Sequence, residues 1–299
     1  MKNKIAMLLA LCLLTVSVIS LAQVNKAEIV YFKLDGKGEA TGAYIVNAFE
    51  ADEKSDVSDF GSYQKTLNLS HVDAIKQDGD NITFSMEKGR FFYQGNLEDN
   101  TMPWEISLKY ILDEKEIEPA LLSGTTGDIT IELNINPRAG FEQYTDNMIL
   151  QGTLNFPSDR TFNLNVEGAT TAYAGANISL AFIVLPGMEA DYIIKAQVQD
   201  FYMPPMQLAG VSMAMDDKMI ADYINKMLEG SPFQTAAENM VKNMLGTKKE
   251  LPSFADARNS IESLQFVMLT DGVEEKIPPK AEIEDTETQS LWDRLVSLF

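Results

Sequence analysis

Hydrophobic and polar residues alternate with a period of two along most of the chain, from about residue 28 to residue 203. Successive side chains of a β-strand point to opposite faces of a sheet, so this period predicts strands with one buried face. The segment WEISLKYIL (104–112) is a clear case, because every second residue in it is large and apolar. Strands are predicted at residues 28–34, 40–51, 81–86, 90–97, 104–112, 128–135, 148–156, 162–168, 178–186 and 191–203.

Turn-forming residues separate the predicted strands. The sequence DGKG at 35–38 lies between the first two and predicts a hairpin. About ten short strands with no helical periodicity between them predict a mainly β fold, an antiparallel β-sandwich covering residues 28–210. The words YQGNL (93–97) and LQGTL (150–154) resemble each other. This echo leaves open a division into two β units near residues 98–103.

One predicted strand lacks the alternation. The segment AFIVLPG (181–187) is apolar at consecutive positions and is too short to span a bilayer. A short run of this kind predicts a central strand that is buried on both faces.

The pattern changes after the Pro204-Pro205 pair, and residues 211–270 are predicted to form a methionine-rich helical appendage. Apolar residues recur at helical spacing in 213–230, Ser231 and Pro232 are typical of a second helix start, and Ser253 is typical of a third. The apolar run LQFVML (264–269) that follows is consistent with a return to a sheet. The helices are expected to pack on the sandwich, with a methionine-rich binding surface as the alternative.

The last segment of the chain is predicted to be an acidic, proline-containing linker at 271–290, followed by an amphipathic helix at 291–299. The apolar side of this helix is a candidate docking site for the body of the protein, a partner or the membrane surface. Its residues are Leu291, Trp292, Leu295, Val296, Leu298 and Phe299. Arg294 is the only basic residue on the polar side, which disfavours an anionic membrane.

The amino terminus has the layout of a secretory signal peptide over residues 1–22. A short basic start is followed by an apolar run from Ile5, and Ser20 and Ala22 precede a plausible cleavage point before Gln23. An uncleaved membrane anchor is the alternative. Because Cys12 is the only cysteine, cleavage leaves a chain without thiols, which is typical of bacterial exported proteins. The sequence therefore predicts a secreted or extracytoplasmic protein of the cell envelope.

The remaining composition favours binding over catalysis. A net charge of −20 disfavours nucleic acid as a partner. His71 is the only histidine, so multi-histidine metal centres are excluded, and no nucleotide-binding motif occurs. No cofactor is predicted. Asp78 and Asp80 beside Gly79 are consistent with a calcium site or, more simply, with a hairpin turn.

Several segments resemble a known family. EIVYFKLDGKGEATGAYIVNAFE (28–50), PWEISLKYILDEKEIEPALLSGTTGDITIELNI (103–135) and VLPGMEADYIIKAQVQDF (184–201) are similar to the extracytoplasmic β-rich region of largely uncharacterised Gram-positive surface and membrane proteins of the YhgE/Pip-associated type. The resemblance implies a signal peptide, an exported β domain and an envelope role, and it supplies no catalytic residues. Members often continue into coiled-coil and transmembrane parts, so the end of this chain at Phe299 puts membrane integration in doubt.

These observations predict an exported, non-catalytic interaction module that binds a protein or cell-wall partner, with the membrane contacted only peripherally. One alternative is a carbohydrate-active hydrolase that uses paired carboxylates, since acidic residues are plentiful. The chain has only two tryptophans, however, whereas sugar clefts usually expose several. A second alternative is an accessory subunit of a membrane complex.

Overall fold

The alternating pattern folds into three β-sheets in the computed structural model, which describes residues 24–72, 74–212 and 252–276. The largest sheet has nine strands. In spatial order they are β13 (Thr170–Ala174), β14 (Asn177–Val184), β11 (Met148–Pro157), β16 (Gln207–Ser212), β17 (Ser263–Thr270), β1 (Val24–Leu34), β2 (Ala40–Ala51), β7 (Gly89–Leu97) and β4 (Tyr63–Asn68).

Two smaller sheets accompany the nine-stranded sheet. The five-stranded sheet has the order β12 (Thr161–Val166), β15 (Ala190–Val198), β10 (Gly127–Pro137), β8 (Trp104–Leu112) and β9 (Lys115–Ile117). The three-stranded sheet has the order β3 (Ser55–Phe60), β6 (Asn81–Met86) and β5 (Lys76–Asp78). The described helical elements are α1 (Glu142–Thr145) and a 3₁₀ turn at Pro119–Leu121. Within the described ranges, no helix is long and apolar enough to cross a membrane.

Both smaller sheets pack on the inner face of the nine-stranded sheet. Phe182 of β14 lies 4.9 Å from Tyr192 of β15, measured between ring centroids. Phe84 of β6 stacks on Phe91 of β7 at 4.2 Å. The result is a sandwich in which one wide layer is faced by two narrower ones, and this confirms the predicted mainly β, sandwich-like architecture.

The centre of the core is an aromatic cluster around Phe266 of β17. Four rings lie 5.2–6.4 Å from it, contributed by Phe32, Trp104, Tyr144 and Phe254. Phe266 is fully buried, and the cluster joins the nine-stranded sheet to the five-stranded sheet and to α1. These are edge-to-face and stacked pairs of the kind that add to the free energy gained from burial alone.

The predicted strands and the first hairpin agree closely with the structure. In the turn at 35–38, the Asp35 carboxylate accepts hydrogen bonds from the backbone N–H groups of Lys37 and Glu39, both at 2.9 Å. Gly38 has φ +94°, a conformation that other residues adopt with strain. The Asp-Gly signals therefore marked a real turn.

The strand pairing differs from the prediction in one respect. Among the described strands, every pair is antiparallel except β1 with β17, which is parallel from Ala27↔Ser263 to Leu34↔Thr270. A parallel neighbour needs a long connection rather than a hairpin. β17 lies between β1 and β16 in the sheet but is far from β1 along the chain. No hairpin turn connects β1 to β17, so the turn residues of the sequence could not predict this pair.

The segment at 181–187 is not buried on both faces. Phe182 and Val184 are buried, whereas Ala181 is exposed and Ile183 is half-buried. It is the inner face of β14 that packs on the five-stranded sheet, where Phe182 contacts Tyr192. The prediction that both faces are buried was wrong because half-buried apolar residues are common on a protein surface.

The sheets do not divide near residues 98–103. The nine-stranded sheet combines strands that precede this segment, such as β1 and β7, with strands that follow it, such as β11 and β17. The sequence similarity between 93–97 and 150–154 reflects a similar local packing of the glycine in each segment. Gly95 lies beneath the ring of Tyr63 from the adjacent β4, and Gly152 lies beneath the ring of Phe182 from the adjacent β14.

Replacing Gly152 with alanine is therefore expected to lower the free energy of unfolding by about 1–3 kcal/mol, because the added Cβ overlaps the buried Phe182 ring. Gly42 in β2 is the matched control, since a Cβ there meets no atom within 4 Å. Gly42→Ala should change the stability by less than about 0.5 kcal/mol. Urea denaturation of both variants checks this, and equal losses would contradict it.

The carboxyl-terminal predictions meet the structure only in part. Residues 263–270, inside the predicted helical segment 211–270, form β17, the return to a sheet that LQFVML permitted. Residues 253–262 contain no helix, and Ser253 caps a turn instead, with its Oγ accepting a hydrogen bond from the N–H of Asp256. The remainder of the appendage, 213–251, lies outside the described residues, as do the signal segment and residues 277–299.

The linker predicted at 271–290 does not begin as a solvated segment. Val273 is 5% exposed and exchanges two backbone hydrogen bonds with Met203. Glu275 forms an ion pair with Arg160 at 2.7 Å. The buried side chain of Val273, its backbone bridge to Met203 and the ion pair of Glu275 attach this acidic stretch to the packed body of the protein, which therefore extends to residue 276.

Candidate functional site

The predicted docking residues Leu291, Trp292, Leu295, Val296, Leu298 and Phe299 lie outside the described residues. His71 is exposed near the end of β4, as a surface histidine should be. Asp78 and Asp80 lie at the β5–β6 turn, where Asp80 pairs with Arg258. Across the described ranges, no cluster of three or more histidine, cysteine or acidic side chains is arranged to hold a metal ion.

The structure instead brings together a buried charged cluster that consists of Lys26, Glu28 and Asp59. The Lys26 Nζ lies 2.7 Å from Asp59 Oδ1 and 2.8 Å from Glu28 Oε1. The side chains are only 5%, 3% and 0% exposed for the lysine, the aspartate and the glutamate. Lys26 and Glu28 share the inner face of β1 with Val30. A charged group pays a large desolvation cost in such a position unless it is paired.

Glu28 is held in place by the segment that precedes β17. Ser253 Oγ donates a hydrogen bond to Glu28 Oε1 at 2.6 Å. The backbone N–H groups of Phe254 and Ala255 donate to Glu28 Oε2 at 2.8 and 3.3 Å. With Lys26, four donors surround this one carboxylate, which fixes its position.

Asp59 is fixed by a tyrosine. Tyr93 OH donates to Asp59 Oδ2, and neighbouring Tyr63 accepts a hydrogen bond on its OH from the Asn47 amide at 3.0 Å. Burial raises the pKa of both tyrosines well above the ordinary value of a phenol. Tyr93 therefore stays protonated and remains a donor to Asp59 over the whole physiological pH range.

A second set of contacts ties the 253–262 segment to β3. The side-chain amide of Asn259 donates to the Phe60 carbonyl at 2.7 Å, and its Oδ1 accepts from the Phe60 N–H at 3.0 Å. The Arg258 guanidinium lies 4.2 Å from the centroid of the Phe60 ring and pairs with Asp256 and Asp80. Hydrogen bonding to Arg258 lowers the pKa of Asp256 to about 2.

The cluster contains a pair of carboxylates, the residue type that glycoside hydrolysis requires, but it is enclosed by the core. Side chains that are 0% and 3% exposed cannot contact a polysaccharide. What the arrangement offers chemically is a lysine amine, two carboxyl groups and a phenol donor within contact distance in a dry environment.

The second unusual feature is the free edge of the nine-stranded sheet at β13. All five residues of this strand are exposed, and among the described strands it pairs with β14 alone. No charged residue occurs between Gly168 and Met188, although the chain as a whole is strongly acidic. An edge strand has unpaired backbone N–H and C=O groups, and proteins usually protect such edges against pairing with other chains.

The other edges of the described sheets have that protection. β4 carries Lys65 and an irregular register, and β12 is bulged after Phe162. β9 and β5 are three residues long and charged. β3 is covered at Phe60 by the Asn259 amide. Among the described strands, β13 is the edge that has neither a charge, nor a bulge, nor a cover.

Tyr173 shows that no layer within the described part of the chain packs against the inner face of β13. It lies directly opposite Ile178 of β14 and therefore projects from the same face of the sheet. Ile178 is 2% exposed, whereas Tyr173 is 75% exposed. The wide layer of the sandwich thus extends past the narrow one, and an added strand would find both free backbone groups and an uncovered aromatic ring.

Neither feature was predicted from the sequence, although part of each is visible in it. Lys26 and Glu28 occupy the same alternating positions of β1 as the buried residues Val30, Phe32 and Leu34. The alternation in the sequence therefore places two charged side chains on the buried face. The uncharged run that contains β13 is visible in the sequence as well. Asp59 left no signal, because two of the three inward positions of β3 (SDVSDF), Ser55 and Asp59, are polar.

Comparisons with known proteins assign no family. No family model and no curated protein matches the chain. Among solved structures, the yeast delta-COP-I mu-homology domain is similar at 8% identity and a TM-score of 0.38, covering 83% of this chain and 95% of that chain. The same domain complexed with a Dsl1 WxWxV peptide gives 9% identity and a TM-score of 0.37, covering 84% and 97%.

A third structure, titled a homology model of the full-length AP-3 complex in an intermediate open conformation, is 11% identical with a TM-score of 0.35. The match covers 62% of this chain and 55% of that chain, so this protein spans about half of that relative. At such scores and identities, the likeness assigns neither a family nor a function.

Proposed function

We propose that this chain is an exported, non-catalytic protein of the cell envelope that binds an extended segment of a protein partner along β13. The observation that carries the proposal is the unprotected edge of the nine-stranded sheet, with Tyr173 uncovered beside it. In this mode of recognition, backbone hydrogen bonds supply affinity, and pockets for alternate side chains supply specificity.

Export is supported by the sequence rather than by the fold. The basic start, the apolar run and the small residues before Gln23 are typical of a cleaved signal peptide. The absence of cysteine after Cys12 fits an exported chain whose stability depends on its core. The resemblance to Gram-positive surface proteins supports an envelope location and a binding role without chemistry.

The proposal is tested with a charge placed on the edge. Ala172→Lys puts a solvated ammonium on β13, and a photo-crosslinking amino acid at Tyr173 reports contact in the native cell. The expected result is a cross-link to one extended segment of a partner, located by mass spectrometry. Ala172→Lys should weaken binding of the corresponding synthetic peptide by about tenfold or more.

Asn165→Lys is the matched control, because Asn165 is also exposed on an edge strand, and that edge is already bulged. Both substitutions should leave the stability within about 0.5 kcal/mol of the parent. If Ala172→Lys does not change the cross-link, binding along β13 is wrong. If deletion of 291–299 abolishes it instead, the terminal helix is the binding element.

A further inference from the structure

We propose that the Lys26 amine and the Asp59 carboxyl group become joined by an amide bond, which cross-links β1 to β3 inside the core. The inference is independent of partner binding and rests on the geometry of the buried charged cluster. The two reacting groups are already in contact, with 2.7 Å between Lys26 Nζ and Asp59 Oδ1, and the Asp59 carbonyl carbon is one bond further on. Because the fold already holds the two groups in contact, the reaction avoids most of the entropy cost of bringing two free reactants together.

The reaction needs the uncharged forms of both reacting groups. An amide forms from a neutral amine and a carboxylic acid, and these arise from the ion pair when one proton moves along the hydrogen bond from Lys26 to Asp59. Because both side chains are at most 5% exposed, water does not stabilise the charged forms. The Phe49 ring lies 5.7 Å from the ammonium and completes the apolar wall on that side.

The remaining groups fit the roles that the reaction needs. The lone pair of Lys26 Nζ attacks the Asp59 carbonyl carbon, and negative charge develops on Oδ2, where the Tyr93 hydroxyl donates its hydrogen bond. Glu28, 2.8 Å from Nζ, accepts the amine proton and returns it to the departing hydroxyl. The C–N bond forms, the C–O bond breaks and one water leaves, so amine plus carboxylic acid gives amide plus water without any other reactant.

The product has a clear structural use. It closes a covalent loop from residue 26 to residue 59 and ties the nine-stranded sheet to the three-stranded sheet. A cross-link restricts the unfolded chain in the way that a disulfide does. After loss of the signal segment no cysteine remains for a disulfide, and an amide staple does not depend on the redox state of the surroundings.

The test is mass spectrometry of the full exported chain, purified in its folded state. The amide removes one water, about 18 Da, and trypsin should release the peptide that ends at Lys33 covalently linked to peptide 55–65. Fragmentation must locate the link, because ring closure at an Asp-Gly pair also removes water and cyclisation of an amino-terminal Gln23 removes about 17 Da as ammonia.

Three variants separate the roles. Asp59→Asn keeps an acceptor of the same shape, and its link should form with loss of ammonia instead of water. Glu28→Gln keeps both reactants and leaves the cluster electrically neutral, so the protein should fold without the link. Lys26→Arg keeps the charge and should also remain unlinked, with a melting temperature roughly 10 °C below that of the parent.

Two results would overturn the inference. If the folded parent chain yields Lys26 and Asp59 in separate linear peptides, the cluster is a non-covalent ion pair. If Glu28→Gln forms the link as completely as the parent does, the role of Glu28 as proton carrier is wrong. The parent measurement needs no variant, so poor folding of any variant leaves the first test intact.

Discussion

Replacing Phe266 with alanine is expected to lower the free energy of unfolding by about 3–5 kcal/mol. The side chain is fully buried and contacts four other rings from β1, β8, α1 and the segment before β17. Its removal leaves a cavity at the junction of the two main layers, and four rings cannot all move to fill it. Urea denaturation followed by circular dichroism measures the loss.

Val267→Ala is the matched control for this prediction. Val267 is the next residue of β17, it lies on the opposite face of the sheet, and it is half-buried. Its truncation should cost about 1 kcal/mol or less. If the two variants lose the same stability, β17 does not place Phe266 in the core, and the position of this strand between β1 and β16 is wrong.

The second large effect concerns the buried charges. Lys26→Met removes the amine that the proposed amide needs, and with it the one cation among the described residues that could pair with the cluster, so that the carboxyl groups of Glu28 and Asp59 remain at most 3% exposed without compensation. Loss of one partner from a buried ion pair typically costs about 3–5 kcal/mol, because the remaining charge is uncompensated. The same loss is expected here at neutral pH, again measured by urea denaturation.

The triple variant Lys26→Met, Glu28→Gln, Asp59→Asn isolates the cause. It replaces the same lysine but leaves no buried charge, and neither protein is able to form an amide between these positions. The triple variant should therefore recover about 3 kcal/mol relative to Lys26→Met alone. Equal stability of the two variants would show that the packing of the lysine stem, rather than charge compensation, sets the cost.

The strands that the sequence predicted are those whose inward residues are apolar. β8 and β10 are examples, since Trp104, Ile106, Leu108 and Tyr110 alternate as expected and all are buried. Two of the strands that the sequence did not predict lack this property. β3 directs Ser55 and Asp59 inward, and all five residues of β13 are exposed, so neither strand has a hydrophobic period.

The candidate sites were less predictable than the fold. A charge at an inward position is visible in the sequence at Lys26 and Glu28, but its partner Asp59 lies on another sheet, 33 residues from Lys26 along the chain. Ser253 is more distant still, 225 residues from Glu28. Contacts between residues so far apart along the chain depend on how the strands pack together, and a local hydrophobic period cannot predict them.

By itself, the sequence predicted most of the strands between residues 28 and 203, because a period of two with one apolar face is a local property of an extended backbone. It also fixes the acidic charge, and it predicts a signal segment at residues 1–22. The tertiary structure alone decided the parallel insertion of β17, the uncovered edge at β13 and the meeting of Lys26 with Asp59. Each of these depends on which strands become neighbours, and that choice is made by burial of the whole chain at once.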